Sequence, residues 1–409
     1  MTIKILFLTK SFSRIHAAIH LKNAMNQRMI RLIIILIAAS CLMQPVFNTR
    51  ASGLPSIQTV FIILLENQNW TNIQSNPSAP YINNSLLPVS SHCAQYYNPP
   101  GNHPSLPNYL WLEAGTNLGV IDDNNPSYNH QSSTNHLVTL LKNAGLSWKA
   151  YEEDISGATV PLDYTNYYAP RHDPFVYFDD VTGTNNSTYP YGIAHIRPYT
   201  ELAGDLASNT VARYNFITPN VCDDMHDSCA PINNAIRQGD TWLSTEIPKL
   251  TNSQAYKNNG AIFIIWDEAS SGDGPIGMIA LSPLAKGGGY TSTNHYTHSS
   301  TLRTVQEIFG VTPLLGDAAN TANLSDLFVA PVASPTGFRV TSILKTPGGA
   351  PQLSIDGVTP GKTNLLQIST NLADWTTIST NIVSTNTFTF TDTSATNAGL
   401  RYYRVVQLP

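Results

Sequence analysis

In the stretch Asn102–Gly115, NHPSLPNYLWLEAG, Ser105 stands between two prolines just before an apolar run. A small hydroxyl held there suits nucleophilic attack, provided something makes its proton easier to lose. The same stretch also reads as a stiff turn before a core helix. Two other polar groups bear on the choice. FIILL runs into Glu66-Asn67, and FIIW runs into Asp267-Glu268. These pairs supply three carboxylates and an amide oxygen, a hard-oxygen set suited to a divalent cation. A third group, TPNVCDDMHDSC (Thr218–Cys229), holds Asp223, Asp224, His226 and Asp227. It is either a solvated acidic loop, with or without structural calcium, or a rigid loop presenting a histidine to a phosphate or metal ligand. His103, His172, His226 and His298 fall in polar loops beside strand or helix ends. His92, His130, His136 and His195 read as surface histidines with no role, and His295 is left unassigned.

These residues need elements to bring them together. TVFIILL (Thr59–Leu65) and AIFIIW (Ala261–Trp266) are near-continuous apolar runs, as expected of central strands buried on both faces. GMIALS (Gly277–Ser282), LSWKAY (Leu146–Tyr151) and YNFI (Tyr214–Ile217) are further strand candidates. Helices are expected at Thr134–Gly145, with a polar N-cap and a terminal glycine, and at Asp240–Leu250 and Ser300–Gly310. Strands alternating with helices imply an α/β domain with a mostly parallel sheet. In such a sheet ligands bind beyond the carboxyl ends of the strands, which is where both acidic pairs fall. Pro104 favours an extended approach and Pro107 fits a first helical turn, so Ser105 belongs at or beside a helix N-terminus. Free N–H groups there would attract phosphate.

The chain has 409 residues, of which 12% are charged, about half the usual share. A formal net charge of −5 gives no electrostatic case for nucleic acid. Residues 1–51 read as a signal-peptide region. Leu32–Met43 has h-region length and is too short for a stable membrane span. Thr49-Arg50-Ala51 offers a cleavage site, and Met25 or Met29 is the expected true start. The expected location is secreted or periplasmic. Cys93, Cys222 and Cys229 then remain, an odd count that implies one bridge and one free thiol. Cys222 and Cys229 are close enough to close a small loop, and Cys93 is expected to be buried and reduced. Residues 52–329 form the expected catalytic domain and 330–336 a Pro- and small-residue linker. In 337–409, short alternating runs separated by turns predict a small all-β sandwich.

ENQNW after a strand, HPSLPNYL, YAPRHDPFVYF, FITPNVCDDMHD, FIIWDEA and HSSTLRTVQEIFG occur in this order. The sequence resembles the phosphoesterase family of secreted acid phosphatases and phospholipases C, related to the alkaline phosphatase superfamily. The resemblance covers roughly residues 57–315. It implies an α/β fold, an alkaline-phosphatase-like mostly parallel sheet flanked by helices, beside the C-terminal sandwich. It also implies a divalent metal ion held by Glu66, Asn67, Ser105, Asp267 and Glu268. Ser105 becomes the nucleophile, and His172 and His226 catalytic groups at the phosphoryl oxygens. Asn108 and His298 become substrate contacts, with Tyr109 a core anchor. Two places depart from the family pattern: Gln68-Asn69-Trp70, expected to reshape the pocket, and Gln306, expected at the surface. The implied activity is phosphomonoester hydrolysis through a phosphoserine. A phosphodiesterase or phospholipase C is the second reading, and a non-catalytic surface binding protein the third. The sandwich resembles a fibronectin-like module, implying a surface or carbohydrate contact.

Overall fold

The computed structural model describes residues 53–330, 339–346, 348–372, 374–395 and 401–408. The signal-peptide region lies outside these residues, as does nearly all of the expected linker. The first body is built on an eight-stranded sheet. Its strands are β1 (Thr59–Leu65), β2 (Ser91–Cys93), β3 (Trp148–Glu152), β4 (Ile196–Pro198), β5 (Tyr214–Thr218), β6 (Gly260–Trp266), β7 (Met278–Leu281) and β8 (Tyr290–Ser292). Their order is β4-β3-β5-β1-β6-β7-β2-β8. All neighbours are parallel except β7, which runs against β6 and β2. β1 and β6 lie at the centre, and every residue of both is buried. This is why both read as unbroken β-branched and aromatic runs rather than alternating ones.

Four principal helices accompany the sheet: α1 (Ser105–Ala114), α2 (Leu137–Asn143), α3 (Ala235–Asn252) and α4 (His298–Phe309). α1 ends on Gly115 at φ 69°. A Cβ there would meet the Leu315 carbonyl oxygen at 2.3 Å, so only glycine allows this approach. The other three helices differ from their expected bounds. α2 is capped at His136, not at a polar residue near Thr134; the His136 ring is buried against Phe178 with centroids 3.8 Å apart. α3 starts five residues early because Asn234 Oδ1 accepts the Arg237 N–H at 2.9 Å, and it runs through Pro248. α4 starts at His298, where Ser300 Oγ accepts the Thr297 N–H at 3.2 Å, and ends at Gly310.

Gln306 is fully buried rather than on the surface. Its Nε2 donates to the Pro313 carbonyl at 2.8 Å and its Oε1 accepts the Leu315 N–H at 2.9 Å. His92 is buried too, against Trp70, and belongs to the core rather than the surface. The second body is a β-sandwich of β9 (Arg339–Lys345), β10 (Pro351–Asp356), β11 (Thr363–Ser369), β12 (Thr376–Ile382), β13 (Thr387–Thr391) and β14 (Tyr402–Gln407). Its antiparallel sheets are β9-β10-β13 and β12-β11-β14. Leu353, Ile355, Val358 and Leu366 form its small core.

Candidate active site

β1 and β6 pair in register from Thr59↔Gly260 to Leu65↔Trp266. The next residues, Glu66 and Asp267, therefore emerge side by side at the carboxyl end of the sheet. Asn67 lies at φ 31°, in the left-handed region that asparagine tolerates better than most residues. Its N–H donates to Asp267 Oδ1 at 3.1 Å. Turned to donate, its side-chain amide reaches Glu66 Oε2 at 2.7 Å and Asp267 Oδ1 at 3.0 Å. Turned over, its oxygen joins those two carboxylate oxygens instead. Asn69, inside the segment that departs from the family pattern, ties the two strand ends together. Its Oδ1 accepts from the Ser270 hydroxyl at 2.9 Å and its Nδ2 donates to the Ser271 carbonyl at 3.1 Å.

Ser105 is the first residue of α1 and is buried. Its hydroxyl donates to Glu66 Oε2 at 3.0 Å. One turn on, the Tyr109 hydroxyl donates to Glu66 Oε1 at 2.5 Å. The i, i+4 spacing places both hydroxyls on one carboxylate. Tyr109 is thus a site residue, not simply a core anchor, and that spacing was the available signal. The expected free N-terminus of α1 is partly taken, because Asp123 Oδ1 accepts the Leu106 N–H at 2.9 Å.

The His172 ring stacks on Tyr109 with centroids 5.3 Å apart and planes 8° from parallel. Its Nε2 lies 3.2 Å from Glu66 Oε1 and its Nδ1 3.1 Å from Asp224 Oδ2. In sequence Asp224 cannot be told from the other acids of its loop. Its carbonyl accepts the Glu66 N–H at 2.7 Å and its Oδ1 accepts the His226 N–H at 2.7 Å. Met225 between them adopts φ 80° and packs its side chain on Gly239, so that its two neighbours face the site. The Cys222–Cys229 disulfide closes this loop, with Cα atoms 5.7 Å apart. Cys93 is free and buried.

Glu66, Asp224 and Asp267 are fully buried. Burial, then repulsion from Asp267, holds Glu66 and Asp224 well above the usual carboxylate range, and burial with the neighbouring Glu268 charge pushes Asp267 up to about 8. Burial, with Arg171 and His226 nearby, holds His172 well below the ordinary imidazole range, leaving it a neutral ring with a lone pair to offer. Asp267 Oδ2 is buried without a hydrogen bond, and the 3.1 and 3.2 Å contacts of Asp224 Oδ2 and His172 Nε2 are too poorly aligned to count as hydrogen bonds. Carboxylates crowded this way, beside orphaned acceptors, are what a divalent cation would neutralise and ligate, so the residues fit the implied metal. Among the described residues, Glu66, His172 and His226 form a group whose ligand atoms all lie within 4.8 Å of one another.

Three expected site residues are differently engaged. Asn108 is fully buried, and its amide donates to the Asn102 carbonyl at 2.8 Å and to Glu268 Oε2 at 3.2 Å. It therefore holds the Ser105 loop to Glu268. Glu268 also bonds the His103 Nδ1, and His103 Nε2 meets Asp273 at 3.0 Å. Both nitrogens of His298 are used as well: Nε2 donates to the Asp267 carbonyl at 2.5 Å, and Nδ1 pairs with the Tyr96 hydroxyl at 3.1 Å. This fully buried ring braces Asp267 from behind. Its pKa falls to about 4 through burial, so it stays neutral.

A serine bonded to a buried acid nest at the carboxyl edge of a mostly parallel sheet is an arrangement suited to hydrolysing phosphoric esters. Residues 80–312 match the phosphoesterase family, and the chain belongs to it. It is similar to a phosphatidylinositol-3-phosphatase of Mycobacterium tuberculosis, 29% identical over 69% of this chain and 87% of that protein. It is also similar to an acid phosphatase of Aspergillus fumigatus, 29% identical over 58% of this chain and 51% of the relative, so the chain spans about half that fungal protein. Among solved structures, an alkaline phosphatase superfamily protein from Vibrio parahaemolyticus aligns with a TM-score of 0.45 and 12% identity, over 77% of this chain and 83% of that one. By its family and its phosphatase relatives the protein is a hydrolase of phosphoric ester bonds.

Proposed function

We propose that the protein is a secreted, metal-dependent phosphomonoesterase of the acid phosphatase kind, with Ser105 as nucleophile. The observation that carries this reading is the Ser105 hydroxyl, donated at 3.0 Å to Glu66 inside a nest of buried acids. Glu66, Asn67, Asp267 and Ser105 would hold the cation, with Glu268 in reserve behind His103. When bound, the cation lowers the cost of ionising the serine and neutralises charge on the phosphoryl group. Ser105 Oγ attacks phosphorus while its proton passes toward Glu66 Oε2. The bond to the ester oxygen breaks, leaving a phosphoserine and an alcohol. Water then attacks phosphorus, releasing inorganic phosphate and restoring the hydroxyl.

His226 is the more open of the two catalytic histidines, with 28% of its side chain exposed against 2% for His172. It is therefore the better placed to protonate the leaving alcohol. We assign the sandwich to surface attachment rather than chemistry, following its resemblance to a fibronectin-like module. The names of the relatives, a phosphoinositide phosphatase and acid phosphatases, support a monoester substrate.

The test is hydrolysis of p-nitrophenyl phosphate by wild type and Ser105→Ala, each before and after chelation. The substitution should remove at least about 1,000-fold of kcat. Chelation should abolish activity, and one divalent cation should restore it. A fully active Ser105→Ala protein would end the nucleophile assignment, and chelation without effect would end the metal assignment.

A further inference from the structure

Arg171 lies at the open side of the nest. Its side chain is 16% exposed, whereas Glu66, Asp224 and His172 behind it are at 0–2%. Its charge acts on all three of those groups. Nothing ties it down firmly. Nη2 lies 3.3 Å from His226 Nε2, Nη1 donates to the Tyr164 hydroxyl at 3.4 Å, and Nε is 3.7 Å from Asp123 Oδ2. Arg197 is a contrast: it meets Glu201 through two nitrogens at 2.9 and 2.5 Å and also donates to two carbonyls. Arg171 is thus a guanidinium held in place by long contacts, the one to a carboxylate spanning 3.7 Å, with donor capacity in reserve.

Charge balance gives that reserve a use. Once a divalent cation has displaced their protons, the three buried acids still outweigh its two charges, yet a phosphate monoester arrives as a dianion. A further positive charge on the approach side is needed. A diester differs from a monoester by carrying a substituent on one more oxygen, which removes one charge and adds bulk.

Resting on the phosphomonoesterase reading above, we propose that Arg171 is the specificity-determining residue that binds the third unesterified oxygen of a monoester dianion. Asp123 positions it, joining the guanidinium to the N–H of Leu106, next to the nucleophile. A second ester substituent would meet the guanidinium instead of an open slot. Arg171 therefore favours monoesters by attraction and disfavours diesters by bulk and a lost charge.

The experiment compares Arg171→Ala, Arg171→Lys and Tyr164→Phe with wild type on p-nitrophenyl phosphate and bis(p-nitrophenyl) phosphate. Binding of inorganic phosphate and of dimethyl phosphate to the metal-loaded proteins is measured by calorimetry, and folding by thermal melting. We expect Arg171→Ala to lose about 100-fold in kcat/KM on the monoester and a similar factor in phosphate affinity. Dimethyl phosphate affinity, and any diester rate, should change less than about 3-fold, so the ratio shifts at least about 30-fold. Lysine should recover part of the loss, because it restores charge without the fork. Tyr164→Phe, which only loosens the guanidinium, should cost several-fold on the monoester alone. Equal losses for phosphate and dimethyl phosphate would overturn the proposal, as would a monoester rate and phosphate affinity within 3-fold of wild type. A wild type that hydrolyses neither ester defeats the proposed reaction, and the two binding measurements then decide the role of Arg171 by themselves.

Discussion

Replacing Tyr109 by phenylalanine removes a single oxygen from the site. In wild type that oxygen donates at 2.5 Å to Glu66 Oε1, with both residues fully buried. The ring itself packs on His172 with centroids 5.3 Å apart, and phenylalanine keeps that contact. A hydrogen bond to a buried carboxylate is worth about 1.5–3 kcal/mol. The bond favours the ionised form of Glu66, opposing the upward push of burial and of Asp267 and Asp224. Without it, Glu66 takes up a proton more readily. Two consequences follow if ionised Glu66 holds the cation and receives the serine proton. The cation should bind roughly 10- to 100-fold more weakly, since about 1.4 kcal/mol is a factor of ten. The acid limb of kcat/KM should move to higher pH by about 1–2 units, since one unit is about 1.4 kcal/mol. The assay is p-nitrophenyl phosphate hydrolysis across buffered free-cation concentrations and across pH. High cation should rescue the variant at neutral pH. A variant with normal cation affinity and an unmoved acid limb would show that Glu66 does neither job.

Other outcomes follow from the same geometry. Glu113, on the far end of α1 from Ser105, is fully buried and pushed up to about 8 by burial, despite accepting the Tyr214 hydroxyl at 2.8 Å. Its folded-state pKa is raised, so its stabilising contribution is complete below about pH 4.5 and is lost as pH rises through about 8. The full span is at most about 5 kcal/mol. Glu113→Gln should therefore flatten the fall of melting temperature between pH 5 and 9, and parallel curves for both proteins would contradict the shift. Replacing Cys222 and Cys229 by serine opens a loop of seven-residue separation and should cost about 2 kcal/mol, or about 4–8 °C by calorimetry. The same change should lower activity further than melting implies, because the loop carries Asp224 and His226; undiminished turnover would remove the loop from the mechanism. Protein recovered from the culture medium or periplasm of an expressing bacterium should begin at Ser52, and an intact first 51 residues in the mature chain would refute the secretion reading.

Much of this design is local and therefore legible in the order of residues. β1 and β6 announce themselves because a strand buried on both faces has no polar side to show. Glu66 and Asp267 are found because a polar residue directly after such a run falls at a carboxyl edge. Ser105 is placed by its prolines, which restrict the backbone on either side. Six motifs in order carried the family, because each is a short stretch whose spacing survives in the chain. What the order of residues leaves open concerns partners far apart in sequence. Asn108 and His298 carry the right chemistry, yet their hydrogen-bonding groups are spent on Asn102 and Glu268, and on Asp267 and Tyr96. Gln306 looked solvated and is buried, because its amide meets a returning loop that no helical periodicity foretells. Asp224 could not be told from Asp223 or Asp227 until the left-handed turn at Met225 aimed it inward. Residue types and short-range spacing determined which chemistry was on hand. The register between β1 and β6, and the loops folded over their ends, decided which groups share one buried space, where their charges shift one another and where Arg171 faces the opening.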